Sequence, residues 1–300
     1  MEVPKIGVAL AVYNGKEWLS EQLNSILKQD GVDVTIYVSI DPSIDGSEDL
    51  CHQLSKQYKN IVVLPCVGRL GDAAKNFFRL LHDVNLSSFD YIAFSDQDDL
   101  WNSHKLLRAV NKISKTQSGA YSSNVTAFWA NVKANLIDKA QPQREFDYMF
   151  ESAGPGCTFV LTLKLALHLQ QFLIQNQQVC KDVALHDWFI YAFARTNGYK
   201  WVVDKQSHMQ YRQHGNNVVG ANVGLQAKLS RWKKLRAGWL NTQAILLADI
   251  IGYSDNWVIK RLKRNNLIDK LVLIINISKF RRKFIDRLAL ASSFLVGIKK

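Results

Sequence analysis

Four short apolar runs rich in β-formers open the chain: KIGVALAV (5–12), VTIYVSI (34–40), NIVVLP (60–65) and DYIAFS (90–95). Between them, apolar positions recur at helical spacing near residues 16–29, 46–58 and 72–84. Strand and helix alternating at this distance predict an α/β fold, a mostly parallel sheet covered by helices. Such sheets bind ligands beyond the carboxyl ends of their strands. Tyr13, Asn14 and Gly15 follow the first run, Asp41 to Gly46 the second, and Asp96 to Asp99 the fourth. The pattern therefore predicts a cleft assembled from several strand ends.

The middle of the chain is less regular. GAYSSNVTAFWA (119–130) and GPGCTFVLTL (154–163) read as strands, residues 163–175 and 185–195 as helices, and YKWVVDK (199–205) and SHMQYRQHG (207–215) as loops with short strands. From Leu225 the pattern turns helical, with basic clusters KLSRWKKLR, KRLKR and KFRRK interrupting apolar faces such as LIDKLVLIINI. Two readings fit this tail. Its helices lie in a membrane interface, cations on one side and Leu, Ile or Trp on the other, or they pack on the preceding domain with a solvated basic face. Either way the chain divides into residues 1–224 and 225–300.

Charge sharpens that division. The formal net charge is +12, which alone would suggest nucleic acid as a partner. Residues 225–300 carry 17 Lys and Arg against 4 Asp, whereas residues 1–224 hold 21 basic and 22 acidic residues. The basicity belongs to the tail, which argues against a nucleic-acid surface. An apolar fraction of 47% argues against disorder. Cys51, Cys66, Cys157 and Cys180 show no C-x-x-C spacing, as expected of reduced, mostly structural thiols in a cytosolic protein. The opening MEVPKIGVALAVYNG lacks the basic region and cleavage site of a signal peptide, and no long uncharged apolar stretch follows. The protein is thus expected in the cytoplasm, peripheral on the inner face of the cell membrane, and the Asn-x-Ser/Thr matches at Asn85, Asn124 and Asn276 are expected to be fortuitous.

The densest chemistry lies in FSDQDDLW, where Asp96, Asp98 and Asp99 occupy three of four positions. A single acid there is explained as the N-cap of the next helix, and Asp99 or Asn102 has that place before SHKLLRAVNKI. Three packed acids repel one another unless a cation neutralises them. Asp96 and Asp98 flank Gln97, so in extended backbone their side chains face the same way and can share a hard divalent ion. Oxygen ligands completed by water and phosphate suit Mg2+ or Mn2+.

The ordered set AVYNG (11–15), DPSIDGSED (41–49), FSDQDDLW (94–101), HDWF (186–189) and YRQHGNNVVG (211–220) resembles the motifs of family 2 glycosyltransferases. These are inverting nucleotide-sugar enzymes of the Rossmann-like GT-A fold. Within them the chain is similar to bacterial rhamnosyltransferase-like proteins of O-antigen and capsule assembly. The resemblance implies that Ala11, Tyr13 and Asn14 lie along the nucleotide, that Asp41 accepts from base or ribose, and that Asp96, with Gln97 beside it, lies near ribose and metal. It further implies Asp98 as metal ligand on the diphosphate, Asp99 toward the sugar or acceptor, and Asp187 as general base. The implied partners are a dTDP-rhamnose or UDP-hexose donor and a growing, polyprenyl-diphosphate-linked glycan at an anionic membrane. One departure stands out: the family usually carries two aspartates followed by Gly-Ser after the second strand, and here the run is Ile40, Asp41, Pro42, Ser43. The second aspartate is retained in a reshaped loop.

Other residues admit two readings each. Arg212 neutralises phosphate charge or pairs with a surface acid; His214 completes the metal shell, donates to the diphosphate, or is a satisfied turn residue. Arg69 and Asn76 flank the start of a helix capped by Asp72 and contact sugar or nucleotide, unless Asn76 only orients a loop. GPGC (154–157) makes a tight turn that lets backbone approach the donor sugar. Asp187 taken alone also fits an ordinary helix start. A nicotinamide dehydrogenase and a P-loop phosphotransferase are set aside because their glycine motifs are missing. A nucleotidyltransferase, a metal-dependent phosphoester hydrolase and a non-catalytic membrane- or polymer-binding module remain as alternatives.

Overall fold

The computed structural model describes residues 2–129, 132–214 and 238–296. The four apolar runs become β1 (Lys5–Val12), β2 (Asp33–Ile40), β3 (Ile61–Val63) and β4 (Tyr91–Ser95). With β6 (Ala120–Ser123), β9 (Val160–Thr162) and β10 (Trp201–Asp204) they form a seven-stranded sheet of order β10-β6-β9-β4-β1-β2-β3. β9 runs antiparallel to β4 and β6, while the remaining pairs are parallel. The expected mostly parallel sheet is present. A second sheet, β5-β11-β7-β8, joins β5 (Leu100–Trp101), β7 (Val125–Trp129), β8 (Val132–Ile137) and β11 (Met209–Arg212).

Side-chain alternation along β1 explains why helices cover both faces. Ile6, Val8, Leu10 and Val12 enter one core with α1 (Lys16–Leu27), α2 (Ser47–Gln57) and α4 (Lys105–Thr116). Gly7, Ala9 and Ala11 alternate onto the other face. That face must be thin, because a Cβ on Gly7 would come within 3.0 Å of Phe89. Small residues there let α3 (Ala73–Asp83) lie close to β1, with Phe77 and Phe78 in the second core. α5 (Leu163–Gln175), the short α6 (Gln177–Cys180) and α7 (His186–Thr196) extend this second layer.

Two local expectations are corrected. GAYSSNVTAFWA is not one strand: it breaks at Asn124, β6 staying in the large sheet and β7 leaving for the small one. Neither Asp99 nor Asn102 caps the following helix, which starts at Lys105 behind His104 with no side-chain cap. Asp72 does cap α3, accepting from the Lys75 amide at 2.8 Å.

The tail contributes α8 (Trp239–Ile250), α9 (Trp257–Arg264), α10 (Leu267–Ile275) and α11 (Phe284–Val296). Leu240, Leu247, Ile259, Phe280 and Phe294 share the core of α3, α5 and α7. The KLSRWKKLR cluster and the division at residue 224 lie outside the described residues. KFRRK is not a solvated basic face. Arg282 is 4% exposed, ion-paired to Glu151 and Asp147, and donates to the Lys139 and Ser152 carbonyls. In KRLKR, Arg261 and Arg264 pair with Asp269, and Lys263 with Asp249.

Candidate active site

Three loops at the carboxyl ends of β1, β2 and β4 form one hydrogen-bonded unit. Gln97 reaches from the β4 loop to Tyr13: its side-chain oxygen accepts from the Tyr13 amide at 2.7 Å, and its amide nitrogen donates to the Tyr13 carbonyl at 2.8 Å. This pairing depends on Gly15, where a Cβ would lie 2.3 Å from the Gln97 side chain. Asn14 adopts a φ of 46°. Its amide donates to Ser43 Oγ at 3.0 Å and its Oδ1 accepts from the Ile44 amide at 2.9 Å. Asp41, 5% exposed, accepts from the Leu70 and Gly71 amides at 2.7 and 2.8 Å, tying the loop that carries exposed Arg69 to the end of β2. Ala11 is half-buried at the strand end and Tyr13 exposed. Asn76 is buried and donates to the Ser39 carbonyl at 3.1 Å, its Oδ1 having no hydrogen-bond partner among the described residues. It braces β2 against α3.

The acids follow. Asp98 Oδ2 lies 2.7 Å from His214 Nε2, and the His214 ring stacks on Trp18 at 3.9 Å. Arg212 braces the same loop: its amide donates to Asp99 Oδ1 at 3.1 Å and its Nε to the Asp98 carbonyl at 2.9 Å, while Nη2 meets the surface acid Glu21 at 2.6 Å. Donor atoms of Asp96, Asp99 and Cys157 all lie within 4.8 Å of one another, a cluster able to hold a metal ion. Asp99 Oδ2 is buried without a hydrogen-bond partner among the described residues.

The electrostatics show how costly this crowding is. Burial, then the Asp98 charge, pushes Asp96 up to about 7. Burial, with Asp98 and Asp96, holds Asp99 well above the carboxylate range. Burial, then the charges of Asp99 and Asp96, hold Cys157 as a neutral thiol. Behind them Lys105, 1% exposed, sits 3.3 Å from the Trp101 ring centroid, and burial drives it down to about 7 against the pull of Cys157 and Asp99. Sequence reasoning missed Lys105, which reads as an ordinary helix cation, and took Cys157 as merely structural. Only the antiparallel passage of β9 beside β4 brings Cys157 to the acids.

Asp187 stands half-buried in the first turn of α7, its Oδ1 accepting from the Trp188 amide at 2.7 Å. Burial raises its carboxyl, and its charge adds to the effects that raise Asp96. Gly156 makes this approach possible: a Cβ there would meet His186 Nε2 at 2.4 Å and Asp187 Cβ at 3.3 Å. The glycine of GPGC thus gives room to the start of α7.

Residues 8–167 match the family described as Glycosyl transferase family 2. The chain is also 40% identical over 290 residues to the dTDP-rhamnosyl transferase RfbG of Shigella flexneri, covering 96% of this chain and 100% of that protein. The chain belongs to Glycosyl transferase family 2. This family 2 enzyme is a glycosyltransferase, moving a sugar from a nucleotide sugar to an acceptor. S. aureus TarS 1–349, solved in complex with UDP, superposes with a TM-score of 0.55 at 15% identity, covering 97% of this chain and 88% of that one. The mannosyltransferase PcManGT from Pyrobaculum calidifontis, solved with GDP-Man and Mn2+, gives 0.54 at 14% identity, covering 98% and 84%. At such identities these two establish the fold, a GT-A arrangement, for the family 2 enzyme. No described helix of the glycosyltransferase is long and apolar enough to cross a membrane.

Proposed function

We propose that this glycosyltransferase transfers a rhamnosyl group from dTDP-rhamnose to a hydroxyl of a growing glycan, inverting the anomeric centre in one displacement. The observation that carries the donor is the 40% identity, across its whole length, to a protein named dTDP-rhamnosyl transferase. A UDP-hexose donor suits the motifs equally, but its structural likenesses stand at 15% identity and carry no sugar preference. A polyprenyl-diphosphate-linked glycan is the acceptor this reading favours, as a product of glycan assembly at a membrane.

The donor set fits a hard divalent ion. Asp96 and Asp99 supply carboxylate oxygens within 4.8 Å of each other, one Asp99 oxygen having no hydrogen-bond partner among the described residues, and the hydrogen-bonded Asp98–His214 pair would supply a further oxygen and nitrogen. Cys157, kept neutral by burial, is a poor ligand for Mg2+ or Mn2+. The ion, when bound, neutralises charge on the diphosphate. Arg212 adds a guanidinium beside this loop, and Asp41 acts by holding the loop that presents Arg69. Tyr13 and Asn14, fixed by Gln97 and Ser43, form the nucleotide wall with Ala11.

Asp187 takes the proton of the incoming hydroxyl. Burial makes its carboxylate a stronger base than usual, and the Trp188 amide fixes one of its oxygens. No enzyme nucleophile is needed.

The deciding experiment is calorimetric binding of dTDP-rhamnose, UDP-glucose, UDP-galactose and UDP-N-acetylglucosamine, with and without Mn2+, followed by transfer assays. Metal-dependent binding of dTDP-rhamnose alone is expected; turnover persisting in full chelator overturns the metal assignment. Asp187→Asn should bind donor normally and lose roughly 100-fold or more in transfer. Unchanged transfer removes Asp187 as the base.

A further inference from the structure

The chemistry of transfer leaves one surface unused. On α10, Leu267, Ile268, Leu271 and Ile275 are exposed, Ile275 by 79%, while Leu273 is buried. At about 100° per residue these four fall on one side of the helix. On α11, Phe284, Ile285 and Leu288 repeat the pattern, with Leu295 two turns on along the same line; Phe284 is 70% exposed and Phe294 is buried. The two helices pack against each other, and Lys270 of one donates to the Leu295 carbonyl of the other at 3.3 Å. A folded protein has no internal reason to leave this much apolar surface in water.

Cations border the stripes. Lys270 stands about 60° from Leu267 around α10, its Nζ on the Leu295 carbonyl, and Lys283 lies just before α11, whereas Arg287 is turned back onto the Arg281 and Arg282 carbonyls. Asp269 is turned inward onto Arg264 at 2.7 Å, and Asp286 in the first turn of α11 lies about 160° around that helix from Phe284, so neither acid stands within the stripes. An apolar stripe edged by cations matches an anionic lipid interface, with acyl chains below and phosphates beside it. A second copy of the chain would set like cations against each other. Helices of 9 and 13 residues are too short to span a bilayer, so a lipid contact through these stripes would run along its surface.

We propose that α10 and α11 form a docking face that seats the enzyme on an anionic lipid surface. The face is joined by hydrogen bonds to the segment that leads into the GPGC turn. Between the two helices, Arg281 donates to the Phe150 carbonyl at 2.7 Å and the Arg282 amide donates to Glu151 at 2.7 Å. These partners lie four and three residues before the GPGC turn, whose Gly156 lies against Asp187. Lipid seating would thereby hold the cleft at a set height over the surface. The inference goes beyond the transfer reaction and does not depend on which donor or metal is used.

The test is flotation of the full chain with vesicles of phosphatidylcholine alone and of phosphatidylcholine mixed equally with phosphatidylglycerol. The wild type should float with the anionic vesicles and at least about tenfold less with the neutral ones. Ile268→Asp/Phe284→Asp/Ile285→Asp should lose about tenfold or more of that binding, with circular dichroism and donor binding unchanged. If the triple variant fails to fold, the milder Ile268→Ser/Ile285→Ser carries the same expectation. Lys270→Glu/Lys283→Glu should lose the preference for anionic over neutral vesicles. A wild type that does not float, or apolar variants that float as well as it does, overturns the proposal. So does a dimer in sedimentation equilibrium that these variants dissociate, which would assign the face to a second copy.

Discussion

Single atoms set the geometry of the cleft. Gln97 sits inside an acidic motif, yet its own task is to imitate a peptide group and lock the Tyr13 backbone, at the expense of any side chain on Gly15. Gly15→Ala should therefore cost about 1–3 kcal/mol of stability and raise the donor KM. Adding Gln97→Ala should make the double variant less damaged than the sum of the two, which a double-mutant cycle in urea measures. Strict additivity would separate the two residues. His186 gives a pH signature. Burial beside Phe77 and Phe94 holds its imidazole down at about 3. Below about 6.5 the unfolded chain takes up a proton that the folded chain refuses until about 3, so stability falls as pH falls through that window. The slope reaches roughly 1.4 kcal/mol per pH unit. His186→Gln should flatten it in unfolding measured near pH 7.5 and pH 5; an unchanged slope would place the titration elsewhere.

Among the elements, the junction of β6 and β7 decides most. Four successive residues of one apolar run pair in the large sheet and the next five in the small one, and Asn124 stands between them. Its Oδ1 accepts from the Lys139 and Ala140 amides at 2.6 and 3.1 Å, its Nδ2 donates to the Lys205 carbonyl at 2.8 Å, and its own amide donates to Asp204 at 3.0 Å. The side chain thus satisfies backbone groups that a strand leaving its sheet would orphan. Asn124→Ala should cost about 2–4 kcal/mol, read as a lower urea midpoint at constant m-value. A loss below about 0.5 kcal/mol would show that water replaces the amide. Serine or glycine could turn a corner, but neither reaches three partners.

Across the whole molecule, the tail and the catalytic domain are joined by buried charge. Arg282 lies between Asp147 and Glu151, and Asp147 is also held by Tyr191 at 3.1 Å and Arg195 at 3.3 Å. Removing one partner of such a set strands the others in low dielectric. Arg282→Met should destabilise the protein by about 3–5 kcal/mol, visible as a drop in Tm. A restoring Asp147→Asn/Glu151→Gln background should reduce that loss. If Arg282→Met melts with the wild type, the tail is held by apolar packing alone.

Apolar period and turn residues by themselves determined the four opening strands, the helices between them and the strand-end loops that carry Asp41, Asp96 and Asp98, because those features depend on neighbours a few residues apart. The motif order likewise identified the family from residue types alone. Long-range contact decided the rest. Nothing near Asn124 announces that its run divides between two sheets, since its partners Lys139 and Lys205 are distant in sequence. Nothing near Arg282 tells a buried ion pair from a solvated cation, because side-chain burial depends on which surface arrives opposite. Cys157 and Lys105 join the acidic cluster only when β9 and α4 are folded against β4. The meeting of chain segments, and the dielectric it creates, is a property of the tertiary structure.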